Sequence, residues 1–166
     1  MTLLGRIVGT WRDPRGTMRA LLAGPAREDR ALAVLMGAAA LVVVGEIPAA
    51  TAAAARDPSI PLDARIGGAL MGAVFVLPLL AYALAGLSRL IARLLGGCGT
   101  WFGARMALFW ALLSVQPAVL AHAALEAVVG RGAVSGGVGI VAFAGFLYLW
   151  IGMLIAAESP AAAERV

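Results

Sequence analysis

Lysine and asparagine are absent from the 166 residues, and cysteine and histidine occur once each, as Cys98 and His122. A single cysteine excludes an intrachain disulfide and any metal site built on several thiolates. One histidine excludes the His-Glu-x-x-His zinc pair, and there is no Gly-x-Ser-x-Gly elbow. Charge is also scarce: 13% of residues are charged, against about 25% in an ordinary soluble domain. In its place stand apolar residues, at 62% of the chain and a mean hydropathy of +0.95. A soluble domain of this length would be left with large sticky patches, so lipid is the expected solvent. The same figures exclude disorder, collagen, a disulfide scaffold and a nucleic-acid-binding domain.

All thirteen basic residues are Arg, against nine acidic ones, for a net charge of +4. Together with the missing lysine and asparagine, this usage resembles a GC-rich bacterial coding bias. Arginine also has a physical meaning here, because its planar fork holds a lipid phosphate with two hydrogen bonds.

The apolar residues gather in four stretches, Ala31–Ala55, Ile66–Leu87, Met106–Leu125 and Gly132–Ala157. Each reaches the roughly 20 residues that a bilayer crossing needs, which places spans at about 31–52, 66–92, 104–127 and 133–157. The expected fold is all-α, an integral membrane bundle of four transmembrane helices. A segment of residues 1–30 precedes it and a short tail, 158–166, follows. Ten arginines (6, 12, 15, 19, 27, 30, 89, 93, 105 and 165) fall on one side of such a bundle and three (56, 65 and 131) on the other. The positive-inside rule then puts both termini in the cytoplasm of a bacterial inner membrane. In this orientation Cys98 and His122 stand on opposite sides of the bilayer and cannot act as a nucleophile and its base. Neither an enzyme nor a cofactor is expected.

No signal peptide is expected in the first thirty residues, because Arg interrupts every short apolar run. Leu3, Leu4, Ile7, Val8 and Trp11 instead recur at helical spacing, the pattern of an amphipathic helix at the membrane interface. Asp13 and Pro14 make an N-cap and first-turn pair for a second short helix that presents Met18, Leu21 and Leu22, and Gly24-Pro25 ends it. Such a segment either caps the bundle or binds anionic lipid or a protein partner through Trp11, Arg12, Arg15 and Arg19.

Between the second and third spans, Gly96, Gly97, Cys98, Gly99 and Thr100 form a flexible turn, followed by Trp101 and Phe102 as interface anchors and then Arg105. A glycine-rich turn before a helix can bind phosphate, but this one lacks the Lys and hydroxyl of a nucleotide loop and no strand precedes it. Arg89 and Arg93, one turn apart, are expected with Trp101 and Arg105 to meet lipid headgroups or a partner.

The Trp11-Asp13-Pro14-Arg15 piece, the long second span, the Gly-Gly-x-Gly turn followed by an aromatic, and Pro117 near the middle of the third span together resemble the Yip family. These are multi-pass membrane proteins named for binding Ypt and Rab GTPases, and they typically have five spans and a cytoplasmic N-terminus. The resemblance covers roughly Leu3 to Ala157. It implies a helical membrane fold and a role in membrane organisation or as a partner for other membrane proteins or for further copies of the chain.

Polar groups inside the spans complete the inventory. Glu46, Gln116, His122 and Glu126 are the candidates, since a charge at mid-membrane costs roughly 2.5–3.5 kcal/mol. His122 and Glu126 share a helix face. With Glu46 they either form a cluster that shuttles protons or holds a cation in a small transporter, or simply reach interfacial water and neighbouring helices. Pro78 and Pro117 are expected to bend their helices, with Gln116 able to repair the gap or bond to a neighbour. The pairs Gly68/Gly72, Ala81/Ala85 and Gly132/Gly136 have the spacing that lets helices approach closely.

Overall fold

The computed structural model describes residues 2–130 and 132–159; Arg131 and residues 160–166, with Arg165 and most of the expected tail, lie outside the described residues. Two short helices, α1 (Leu3–Arg12) and α2 (Pro14–Leu22), precede α3 (Glu28–Arg56). The next helix is continuous but composite: α4 (Leu62–Met71), a π-helical turn (Gly72–Val76) and α5 (Leu77–Leu94). Finally come α6 (Trp101–Val129) and α7 (Ala133–Ala157), and the described residues contain no strand. Four helices, Glu28–Arg56, Leu62–Leu94, Trp101–Val129 and Ala133–Ala157, are long and apolar enough to cross a bilayer. The fourth apolar stretch is one unbroken helix of 25 residues, not two spans. The fold is an all-α, multi-pass membrane bundle.

Local chemistry sets the helix ends. The side chains of Thr2, Asp13 and Thr100 accept hydrogen bonds from the N–H groups of Gly5, Gly16 and Gly103 at 3.3, 2.7 and 3.0 Å, which satisfies donors the first turn cannot pair internally. Glu28 and Asp29 sit in the first turn of α3, at the positive end of its dipole. Beyond α5 and α6 the chain turns at Gly96 (φ +86°) and Gly130 (φ +81°), in the left-handed region open to glycine. In the second span Pro78 lacks an N–H and presses on the preceding turn. The ladder widens just ahead of it, where the Leu77 N–H bonds the Gly72 carbonyl five residues back.

Helix α6 is the axis of the bundle. Its first half, residues 102–116, is enclosed by α1, α3, α5 and α7, and Met106, Leu108 and Phe109 are at most 1% exposed. From Pro117 onward the same helix is half-buried or exposed. Alanines set the close approach: Ala104, Ala107 and Ala111 on α6, Ala31 and Ala38 on α3, and Ala85 on α5 are all buried, as befits helices that associate by packing rather than by escaping water. Only one of the three expected small-residue pairs works this way. Ala81 and Ala85 are buried, whereas a methyl added at Gly68, Gly72, Gly132 or Gly136 would meet no atom within 4 Å, because those faces turn to open space.

The amphipathic N-terminal pair docks deeply on this axis. Trp11 donates its indole N–H to the Ser114 carbonyl at 3.0 Å, and Trp110 donates its own to Thr10 Oγ1 at 2.9 Å. Ser114 lies in the turn before Pro117, where the helix is short of a backbone donor. Two glycines of α7 make room for the elbow between α1 and α2. A methyl on Gly145 would stand 2.6 Å from the Trp11 ring, and one on Gly152 would stand 3.0 Å from Pro14. Ile7, Thr10, Met18 and Leu21 are buried, while Leu3, Leu4 and Val8 stay exposed as an apolar outer edge.

Candidate functional site

The glycine-rich loop between α5 and α6 closes on the end of α7. Glu158 Oε2 accepts hydrogen bonds from Arg89 Nη1 and from the Gly99 N–H, both at 3.0 Å. The Cys98 N–H reaches the Glu158 carbonyl at 3.2 Å. There is no space for side chains at two of the loop's positions: a methyl on Gly97 would lie 2.6 Å from Glu158 Oε2, and one on Gly99 would lie 2.4 Å from the Ala157 carbonyl. The glycines are thus required for backbone contact with α7. Arg89 and Glu158 are only 11% and 9% exposed. This corrects the expectation that Arg89 meets lipid headgroups, because its charge is already matched inside the bundle. Sequence reasoning left Glu158 unassigned, although a signal existed. Glu158 follows the last apolar residue of the fourth span, as Arg89 ends the second, on the same expected side.

Arg105, expected with Arg89 to meet headgroups or a partner, is paired at a more open position. It pairs with Glu28 at the start of α3, and its guanidinium carbon lies 6.0 Å from the centre of the Tyr82 ring. Tyr82 in turn meets Phe109 edge-on at 5.0 Å, so Arg105 ties α3, α5 and α6 together. Trp101 is exposed and lies against Gly86. Arg93 and Arg19 are exposed. Arg12 and Arg15 line a cleft of about 420 Å³ with Tyr148, Ile151 and Ile155 of α7. The structure therefore gathers Trp11, Arg12 and Arg15 at the α1–α2 elbow, engages Arg89 and Arg105 internally, and leaves Arg19 and Arg93 facing outward.

The intramembrane polar residues do not assemble into one cluster. His122 Nε2 lies 3.6 Å from Glu126 Oε2, with both side chains 27% exposed. The imidazole packs on α7, where a methyl at Gly139 would stand 3.3 Å from it. Glu46 instead faces the 62–94 helix, lining an apolar groove of about 730 Å³ that also holds Arg65. Gln116 is 3% exposed, and its Oε1 has no hydrogen-bond partner among the described residues. Trp11, not Gln116, supplies a donor to the turn ahead of Pro117. Among the described residues no three His, Cys, Asp or Glu side chains gather as metal ligands.

At the opposite end, in the connection between α3 and α4, Asp57 Oδ1 accepts hydrogen bonds from Ser59 Oγ at 2.5 Å and from the Ser59 N–H at 3.1 Å. These bonds, chiefly the hydroxyl one, hold its carboxyl below the ordinary range, with a smaller contribution from Arg65.

No family model, curated protein or solved structure matches the chain. Its class rests on the fold, which is that of a multi-pass helical membrane protein.

Proposed function

We propose that the chain is a structural or partner-binding component of a bacterial inner membrane, with both termini cytoplasmic, acting in membrane organisation or as an accessory subunit of a membrane complex. Its resemblance to the Yip family points the same way. The observation that carries this reading is the docked α1–α2 hairpin. Two indole hydrogen bonds and two glycine notches fix it to α6 and α7, so Arg12, Arg15 and Arg19 are presented on a rigid support. Exposed guanidiniums at fixed positions suit anionic headgroups or the acidic surface of another membrane protein. A small transporter is the other reading, but of the three residues it draws on, His122 and Glu126 stand together while Glu46 lines the groove along the 62–94 helix.

The test is solubilisation in mild detergent followed by mass spectrometry of what accompanies the chain. Co-purification of a membrane protein or of anionic lipid, reduced several-fold by combining Arg12→Gln, Arg15→Gln and Arg19→Gln, is the expected result. Recovery of the chain alone at every detergent strength overturns the proposal.

A further inference from the structure

The groove beside Glu46 has the chemistry of a binding site that the hairpin does not use. It runs along the 62–94 helix from Arg65 to Leu84, about 28 Å by the rise of a helix. Gly72, Val76 and Leu80 form one wall, and Leu108 and Leu112 of α6 form the floor. Its volume, about 730 Å³, falls within the range of sites that hold small organic molecules. The π turn and Pro78 lie in this wall, where the 62–94 helix departs from regular α geometry.

The groove holds two charged side chains in unequal situations. Arg65 is already satisfied: Nε donates to the Ile60 carbonyl at 3.0 Å, Nη2 donates to the Asp57 carbonyl at 3.1 Å, and Asp57 Oδ2 lies 3.6 Å away. Glu46 has no hydrogen-bond or ion-pair partner among the described residues. It stands ten residues before Arg56, the end of α3, about 15 Å along the helix from that end and inside a helix long and apolar enough to span a bilayer. An ionisable group at that depth is retained at a cost, and its counterpart is the first thing to look for. Among the described residues none stands against it. An apolar groove of this size with one uncompensated carboxylate complements a molecule that is both hydrophobic and positively charged.

We infer that the groove between α3 and the 62–94 helix binds lipophilic organic cations, with Glu46 as the counter-charge and Val76, Leu80, Leu108 and Leu112 as the apolar contact surface. The anion-binding elbow at Arg12 and Arg15 plays no part in this.

Tetraphenylphosphonium and tetraphenylborate have the same shape and opposite charge, so they separate charge complementarity from simple partition. Equilibrium dialysis of the full-length purified chain in detergent, with empty micelles subtracted, is expected to give saturable phosphonium binding at one site per chain. Tetraphenylborate is expected to bind at least ten-fold more weakly. Glu46→Gln should weaken phosphonium binding at least ten-fold and Glu46→Asp should largely preserve it. Leu80→Trp, which fills the groove without touching the carboxylate, should weaken it as well. Absence of saturable binding by the unaltered chain overturns the inference. So does equal or tighter binding of the borate, or phosphonium binding unchanged in either Glu46→Gln or Leu80→Trp. If Glu46→Gln does not fold, the ion pair on the unaltered chain and the Leu80→Trp arm still decide.

Discussion

Pro117 divides α6 into two unlike halves. Ahead of it, toward the arginine-rich end, the helix is enclosed and polar cross-links join separate elements: Trp11 to Ser114, Trp110 to Thr10, Arg105 to Glu28, and Arg89 to Glu158. Beyond it, His122 lies 3.6 Å from Glu126, a residue of the same element. The glycines of α4 and of the start of α7 face open space. In lipid, apolar contact alone does little to select one helix neighbour over another, because acyl chains are as apolar as leucine. Directional bonds and tight small-residue contacts must do the selecting, and here they are concentrated in one half. The other half is more open, and the Glu46 groove runs from it onto Leu108 and Leu112 of the enclosed half.

This contrast predicts a graded response to substitution. Glu158→Ala strands a nearly buried guanidinium and opens the loop–α7 clasp. It should lower stability by about 3 kcal/mol, the low end for losing one member of a buried pair, seen as an earlier thermal transition in detergent, while Arg93→Ala leaves the transition in place. Gly145→Val fills the notch that receives Trp11 and should cost about 1–3 kcal/mol as overpacking. It should also expose α1 to protease at low enzyme concentration, and resistance equal to the unaltered chain would contradict the described docking. Trp110→Phe removes the hydrogen bond to Thr10 and leaves part of the buried indole volume empty, and should cost about 2 kcal/mol. Gly68→Ala and Gly136→Ala, in the open half, should change stability by less than about 0.5 kcal/mol; a large loss at either would mean that the contrast between the halves is drawn wrongly.

The smallest effect concerns titration. Asp57 is held below the ordinary carboxylate range by Ser59, so its favourable contribution is complete above the unfolded value and is lost as pH falls through the lower folded value. Ser59→Ala should move the Asp57 carboxyl back up toward the ordinary range in an NMR titration.

Much of the fold was legible in the sequence because lipid imposes a simple code. Four apolar stretches separated by charge had to be helices, and Asp13-Pro14 announced the start of α2, whereas Thr100, read as part of a flexible turn, caps α6. The contacts that distinguish one side chain from another were less legible. Arg89 and Arg105 read as free headgroup ligands because their partners, Glu158 and Glu28, are distant in sequence, and pairing across helices depends on which faces meet. Gly68/Gly72 read as a helix-packing pair because spacing shows proximity to be possible without saying what stands opposite. Trp11 read as an interface anchor because nothing in its own neighbourhood signals a carbonyl on α6, in the turn before Pro117.

The π-helical turn at Gly72–Val76 has a consequence for evolution and engineering. Such a turn holds one residue more than the regular helix around it, and one residue corresponds to about 100° of rotation about the axis. Deleting a single residue there would leave two well-formed helical segments and a span still long enough for the bilayer. Because the wide turn takes up its extra residue without advancing the azimuth, Leu77 to Leu94 would keep their phase, with Tyr82 still against Phe109 and Arg89 still against Glu158. The turn ahead of Pro78 is therefore the place in the second span where a residue is gained or lost without disturbing the far end, where the loop meets α7.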